Sequence, residues 1–451
     1  MQRSLRRGTT RIQVTAVVLV LTMLVISASR VPPPVSAQTS GPITEQWVDQ
    51  QLVNWKPSTI SPMNFGAILT RASYDNIEYS YNTAEVENAD LAMLLNTNAS
   101  SIRIDIGYDA WLKNDTGAQQ EMTSLVNQIR AAGRQLVIAD ASAESYRGSG
   151  QIPWSQFKQA WIARVQNLAS LYHPDYYIVI KEPGWYVPMI SDALTNPAVM
   201  DLNDWLNLTQ TLVSTVHAVS PATQVGVAIG ADSLANSPSL YIPYMQEVTK
   251  ITGLSFIGFD IYTITGFEQT QSFLSQYGSG GKAVWIAECW SGDGSQIFDS
   301  SRATLDANWI KVVYYFGEQI HATAMFPFYT DLFASYGLTN TSPTDSSQII
   351  STYQQRTPVF YAYQSLASGN GSSTTQTTTT SVSTGSSLSS VSTSSSFGST
   401  STGSGSTSET SSTSQQGGFL KRDTLLAVGA FAVLAVVVIA AGLYLTRKRR
   451  Q

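Results

Sequence analysis

The sequence predicts a (β/α)8 barrel, and three observations carry that prediction. Short apolar runs of strand length recur along the chain at long, regular intervals, eight in all. Amphipathic helical patterns lie between most of them. The segment that holds them, Gln38 to Ala367, is about 330 residues long, which suits one barrel of about 250 residues with added loops. Buried strands separated by amphipathic helices imply parallel βα units. A doubly wound open sheet is the rival arrangement.

The elements follow in order. A short helix is expected around Thr44 to Asn54, ahead of the first strand. The strands are Met63 to Leu69, Ser101 to Ile106, Gln135 to Asp140, Tyr176 to Glu182, Gln224 to Gly230, Leu254 to Ile261, Ala283 to Glu288 and Ala322 to Phe328. Each is apolar almost throughout, as strands covered on both faces are. Helical spacing appears in Gln119 to Ala132 through Met122, Leu125, Val126 and Ile129. It recurs in Trp154 to Leu171 through Phe157, Trp161, Val165 and Leu168, and in Asp201 to Val219 through Trp205, Leu208, Leu212 and Val216.

Both ends carry membrane signals. Arg3, Arg6, Arg7 and Arg11 precede an apolar run, Ile12 to Ile26, and Val35-Ser36-Ala37 offers a small-residue cleavage site, the pattern of a secretory signal over 1–37. An uncleaved signal anchor is the alternative. Thr424 to Thr446 is apolar for long enough to span a bilayer and runs into Arg447-Lys448-Arg449-Arg450. Positive residues favour the cytoplasmic side, so a single-pass cell-membrane protein with its barrel outside is expected, anchored by 419–451. Between barrel and anchor, 368–418 is nearly all Ser, Thr and Gly with Glu409 as its only charge; it cannot bury a core and reads as a disordered stalk. Sequons at Asn98, Asn114, Asn207, Asn340 and Asn370 suit an exported glycoprotein.

The net charge of −5 hides a polarised chain. Setting aside the termini leaves 15 Lys and Arg against 29 Asp and Glu, a body at −14. That argues against nucleic acid, whose binding rests on basic patches. The single cysteine, Cys289, excludes an internal disulfide, and His173, His217 and His321 are too scattered for a zinc site. No metal, cofactor or second subunit is called for, and the chain is expected to act as a monomer.

The chemistry gathers where the strands end, the face on which (β/α)8 enzymes keep their reactive groups. Strand two carries Arg103 and Asp105, strand three ends in Asp140, and strand four ends in Lys181-Glu182. Strand six ends in Asp260 and Tyr262, strand seven in Glu288, and strand eight in Phe328 and Tyr329. Strict alternation puts Glu288 on the face of Ile286 and Val284, and Glu182 on that of Ile180 and Ile178, so both carboxylates are expected to point toward the barrel axis. Aromatic residues crowd the same rim: Trp185, Tyr186, Trp290, Tyr108, Trp111, Tyr146 and the Tyr74, Tyr79 and Tyr81 group. Flat apolar faces with polar edges suit sugar rings. Each residue has a plainer reading: Arg103 with Asp105 as a structural ion pair, Asp140 as a turn cap, Asp260 as a loop anchor, the glutamates as salt bridges closing strand ends. Cys289 is expected to point away from Glu288 into the core.

These residues resemble clan A glycoside hydrolases, the retaining (β/α)8 glycosidases that include the family 5 cellulases and mannanases. Ser101-Ile102-Arg103-Ile104 followed by Trp111 resembles the strand-two arginine segment of that family, Lys181-Glu182-Pro183 the strand-four segment bearing the acid/base, Ile257-Gly258-Phe259-Asp260-Ile261-Tyr262 the strand-six segment, and Val284-Trp285-Ile286-Ala287-Glu288 the strand-seven segment bearing the nucleophile. The resemblance implies that Glu182 acts as acid/base and Glu288 as nucleophile on a poly- or oligosaccharide, about 5–5.5 Å apart if configuration is retained. It further implies that Arg103 and Tyr262 support Glu288; their places at or just past the strand ends make Asp140, Lys181, Trp185, Asp260, Trp290 and Tyr329 candidates to line or support the sugar site. One departure stands out: the family carries Asn before the acid/base, and this chain carries Lys181. The alternatives are a non-catalytic glycan-binding or envelope protein on the same barrel, and a surface transglycosylase.

Overall fold

The computed structural model describes residues 43–58, 63–70, 83–106, 116–140, 152–183, 190–193, 195–292, 299–336 and 346–369. These fall within one compact unit, Met1–Gln376; the second unit, Thr377–Gln451, lies outside them. The expected signal, most of the stalk, the C-terminal span, Trp185 and the sequons at Asn114, Asn340 and Asn370 also lie outside the described residues. Among the described residues no helix is long and apolar enough to cross a membrane.

The strands are β1 (Asn64–Ile68), β2 (Ser101–Ile106), β3 (Gln135–Asp140), β4 (Tyr176–Lys181), β5 (Gln224–Gly230), β6 (Leu254–Ile261), β7 (Ala283–Cys289) and β8 (Ala322–Pro327). They form a closed barrel in sequence order. All pairs are parallel, and β1 meets β8 through Asn64↔Ala324 and Phe65↔Met325. That last pairing excludes the open doubly wound sheet, which would leave two free edges.

Helices precede the first strand, fill the crossovers and follow the last strand. The first is α1 (Glu45–Asn54), capped by the Thr44 hydroxyl, which accepts from the Trp47 amide at 3.2 Å. Then come α2 (Ala84–Leu95), α3 (Thr116–Ala131), α4 (Trp154–Tyr172) and α5 (Leu202–Val219). Asp201 caps α5 by accepting from the Asn203 amide at 2.9 Å, satisfying a donor that the first turn leaves without a partner. After these come α6 (Pro238–Val248), α7 (Ile264–Tyr277), α8 (Ala303–Gln319), α9 (Ser346–Thr352) and α10 (Pro358–Ala367).

Two cores result. The larger lies between strands and helices and holds Ile102, Ile104, Ile106, Val165, Leu212, Val227, Ile286 and Trp309 among others. The smaller fills the barrel and is built from strand residues: Ile68, Val137, Ala139, Ile178, Ala228, Phe256, Trp285, Ala287, Ala324 and Phe326. Phe256 stacks on Trp285 with centroids 3.7 Å apart, and Trp285 on Phe326 at 5.4 Å. Each such pair adds about 0.5–1.5 kcal/mol beyond area burial. The rings fit because Gly66 and Gly226 face them: a Cβ would lie 1.9 Å from the Phe326 ring at the first and 2.2 Å from the Phe256 ring at the second. This aromatic plug is the floor on which the polar residues of the carboxyl-terminal ends rest.

Candidate active site

On β2 the isoleucines at 102, 104 and 106 belong to the helix-facing core, so Arg103 and Asp105 between them point inward. Both are fully buried. Arg103 Nε donates to Asp105 Oδ1 at 2.5 Å, and Nη2 donates to Asp105 Oδ2 at 2.7 Å. The same Nη2 donates to Glu288 Oε1 at 2.6 Å, while Nη1 donates to the Ala287 carbonyl at 2.6 Å. The planar fork therefore locks β2 to the end of β7 across the barrel. The ion-pair reading of Arg103 and Asp105 and the support of Glu288 hold at once.

Lys181 closes β4 and points into the same space. Its Nζ lies 2.7 Å from Glu288 Oε1, 3.0 Å from Asp105 Oδ2 and 5.2 Å from the centroid of the Phe328 ring. Tyr262, just past β6, donates its hydroxyl to Glu288 Oε2 at 2.6 Å. Burial first, then the adjoining Glu288 carboxylate, pushes the Tyr262 phenol well up, so it stays a proton donor. Burial pushes the Asp105 carboxyl up as well, but the neighbouring Arg103 and Lys181 charges and their hydrogen bonds outweigh it, and the group is held below its usual range. Glu288, only 2% exposed, thus has two cations on one oxygen and a neutral donor on the other.

Alternation does not explain why Glu288 faces inward. Val284 and Ile286, which strict period two makes its companions, belong to the helix-facing core, while Trp285 and Ala287 fill the barrel. The pairing of β7 with β8 is irregular between Ile286 and Cys289, and that with β6 between Phe259 and Asp260. An irregularity of this kind changes which way the next side chain points, and it turns Glu288 toward the axis. Cys289 regains the outer core; its thiol donates to the Phe326 carbonyl at 3.7 Å.

The same correction applies to β4. Ile178 faces inward, whereas Val179 and Ile180 both join the outer core across a register shift. Lys181 then points inward, and Glu182 has the left-handed φ of 48°, uncommon for a residue with a side chain and costing on the order of 1–3 kcal/mol. The Glu182 amide donates to the Ala228 carbonyl at 2.9 Å. Its carboxyl comes to rest against the end of β5, where Oε1 would lie only 2.7 Å from a Cβ placed on Gly230.

Asp260 lies between the two glutamates. In the sheet it pairs with Gly230 on one side and with Glu288 on the other. It is 2% exposed, and among the described residues neither carboxyl oxygen has a hydrogen-bond partner. Burial, then repulsion from Glu288 and Glu182, pushes its carboxyl well up, against the smaller pull of Lys181 and Arg103.

Two expected members of the site are elsewhere. Asp140 has the parity of Leu136 and Ile138, on the helix-facing side of β3, where it is ion-paired with Arg164 of α4. Trp290 is fully buried in the outer core, with its ring edge-on to Tyr329 at 6.0 Å and tilted against Phe333 at 6.5 Å. Its position past an irregular strand end places it in the outer core. Tyr329 packs edge-on against Phe328 at 4.8 Å beside the site. Asp105, Phe328 and Gly230 complete the constellation; inward parity with Arg103 marks the first in the sequence, whereas the glycine carries no polar signal. Among the described residues no group of three or more His, Cys, Asp and Glu is placed to hold a metal ion.

No protein-family model matches the chain, and no curated protein does. Among solved structures it is similar to the family 1 β-glucosidase from Thermotoga maritima, with TM-score 0.46 and 10% identity over 69% of this chain and 94% of that one. It is also similar to the GH10 protein from Paenibacillus barcinonensis, with TM-score 0.44 and 11% identity over 73% of this chain and 98% of that one. The barrel assignment rests on this chain's own strand order and closure.

Proposed function

We propose that this barrel is a retaining β-glycoside hydrolase acting on a poly- or oligosaccharide, with Glu288 as nucleophile and Glu182 as acid/base, along the lines of the clan A family 5 enzymes it resembles. The observation that carries the reading is the setting of Glu288: a buried carboxylate at the carboxyl end of β7, held at Oε1 by Arg103 and Lys181 and at Oε2 by Tyr262. A carboxylate fixed at both oxygens at a strand end of a (β/α)8 barrel is preorganised to attack along one line. In the first step a Glu288 oxygen bonds to the anomeric carbon, the glycosidic C–O bond breaks, and Glu182 gives its proton to the departing oxygen. In the second, Glu182 takes a proton from water, the water oxygen bonds to the anomeric carbon, and Glu288 leaves as carboxylate. We further propose that the barrel works outside the cell, tethered by the stalk and the apolar segment near the C-terminus.

One observation favours a second reading. The Lys181 ammonium sits 2.7 Å from the Glu288 oxygen, and a covalent ester there would remove a negative charge from between two buried cations. A glycan-binding protein that keeps the barrel and does no chemistry would tolerate that arrangement. Glycan panels assayed with the wild type and with Glu182→Ala and Glu288→Ala decide. Loss of turnover in both variants supports hydrolysis; undiminished turnover in both overturns it, and binding by a wild type that never turns over supports the second reading.

A further inference from the structure

We infer that Gly230 is a positioning residue for the acid/base, its missing side chain forming the seat into which the Glu182 carboxyl folds at the end of β5. The inference rests on the glycosidase reading for its catalytic meaning, and on geometry alone for the seat.

Three features of the backbone send Glu182 across to β5. The register shift after Ile178 spends an extra residue of β4. The Glu182 amide is tied to the Ala228 carbonyl of β5 at 2.9 Å. The left-handed φ of 48° then folds the chain so that the side chain lies over β5 instead of continuing along β4. At that point β5 presents glycine. A Cβ on Gly230 would meet Glu182 Oε1 at 2.7 Å, with the Ser233 hydroxyl oxygen next at 3.5 Å and the Glu182 carboxyl carbon at 3.7 Å. A contact at 2.7 Å is closer than carbon and oxygen tolerate, whereas the other two are ordinary packing.

The purpose of this glycine differs from that of Gly66 and Gly226. Those two face rings locked in the barrel floor, so their substitution strains the core. Gly230 faces the far end of a long side chain, and its φ lies outside the left-handed region, so alanine fits its backbone. The carboxyl is what must yield. The fold therefore accepts alanine at 230 while the proton donor is displaced, and a displacement of about 1 Å from the productive position costs on the order of 10²-fold in rate.

The test is Gly230→Ala in the full-length protein, read in two ways. A crystal structure of the variant is expected to show the Glu182 carboxyl moved off β5 with the barrel unchanged; a carboxyl in its original place overturns the inference, whether or not the protein turns anything over. The second readout uses aryl β-glucosides, β-mannosides and β-xylosides of graded leaving-group acidity. Dinitrophenyl glycosides leave without a proton, so their kcat/KM is expected to stay near wild type, while plain phenyl glycosides lose on the order of 10²-fold. An equal loss on both substrates, or no loss on either, overturns the positioning role. If Gly230→Ala lowers the yield of folded protein, adding Glu182→Ala removes the obstructing oxygen and is expected to restore it; failure to restore it overturns the seat. A wild type inert on every glycoside sinks the glycosidase reading, and the crystallographic comparison still decides the seat.

Discussion

Replacing Asp260 with asparagine isolates the electrostatic cost of the carboxyl that lies between the two glutamates. Asp260 is buried between Glu182 and Glu288, with no hydrogen-bond partner for either oxygen among the described residues and a carboxyl pushed well up by burial and by those two neighbours. A raised folded-state pKa means that the folded protein keeps a proton which the unfolded chain has already released. Stability from this group is therefore complete below the ordinary carboxylate range and falls as the pH rises toward the folded value. The slope is about 1.4 kcal/mol for each pH unit in that window. Asparagine has the same shape and nothing to titrate; its buried amide adds a constant offset, so only the slope reports the carboxyl. Urea unfolding followed by tryptophan fluorescence suits the measurement, because all ten tryptophans fall between Trp47 and Trp309. Between about pH 5 and pH 7 the variant is expected to gain on the wild type as the pH rises, by at most about 1.4 kcal/mol per unit. A difference that stays flat over that range refutes the reasoning, since it would mean that Asp260 titrates alike in both states.

Two further variants probe the charges on either side of the barrel wall. Arg103→Met leaves Asp105 and Glu288 buried with Lys181 as their remaining cation, and is expected to cost about 3–5 kcal/mol in denaturant unfolding at neutral pH; a loss under 1 kcal/mol would contradict the account of the Arg103 fork. On α2, burial and then Glu121 push the Glu87 carboxyl up to about 7. Glu87→Gln is accordingly expected to stabilise the protein at pH 8, by at most about 3 kcal/mol, with the gain fading as the pH falls through 7 toward 4. A gain independent of pH would show that packing, not ionisation, is responsible.

Much of the architecture is legible in the chain because burial on both faces writes itself as runs of apolar residues. All eight runs became strands, several with the same ends: Ser101–Ile106, Gln135–Asp140, Gln224–Gly230 and Leu254–Ile261. The helical pattern at Trp154 became α4, ending at Tyr172, and Thr44 became the cap of α1. β2 is regular, and Arg103 and Asp105 alternate along it with three isoleucines that face outward. Parity failed at β4 and β7, where the register shifts. Such an irregularity depends on how neighbouring strands are staggered, and no local pattern records that. Trp290 shows the same limit: its aromatic character suggested a sugar platform, and a displaced strand end sent it into the outer core.

The sequence by itself determined the alternation of strand and helix, the closure-sized repeat and the delivery of Arg103, Lys181, Glu182, Asp260 and Glu288 to one end of the barrel. These depend on composition and on short-range periodicity, which each segment carries within itself. Only the tertiary structure decided which way those side chains turn, that Asp140 belongs to Arg164 and that the Glu182 carboxyl rests on Gly230. Each of those outcomes joins residues on different strands or helices. It is set by the stagger of a closed sheet, in which a shift of one residue reverses the face that a side chain occupies.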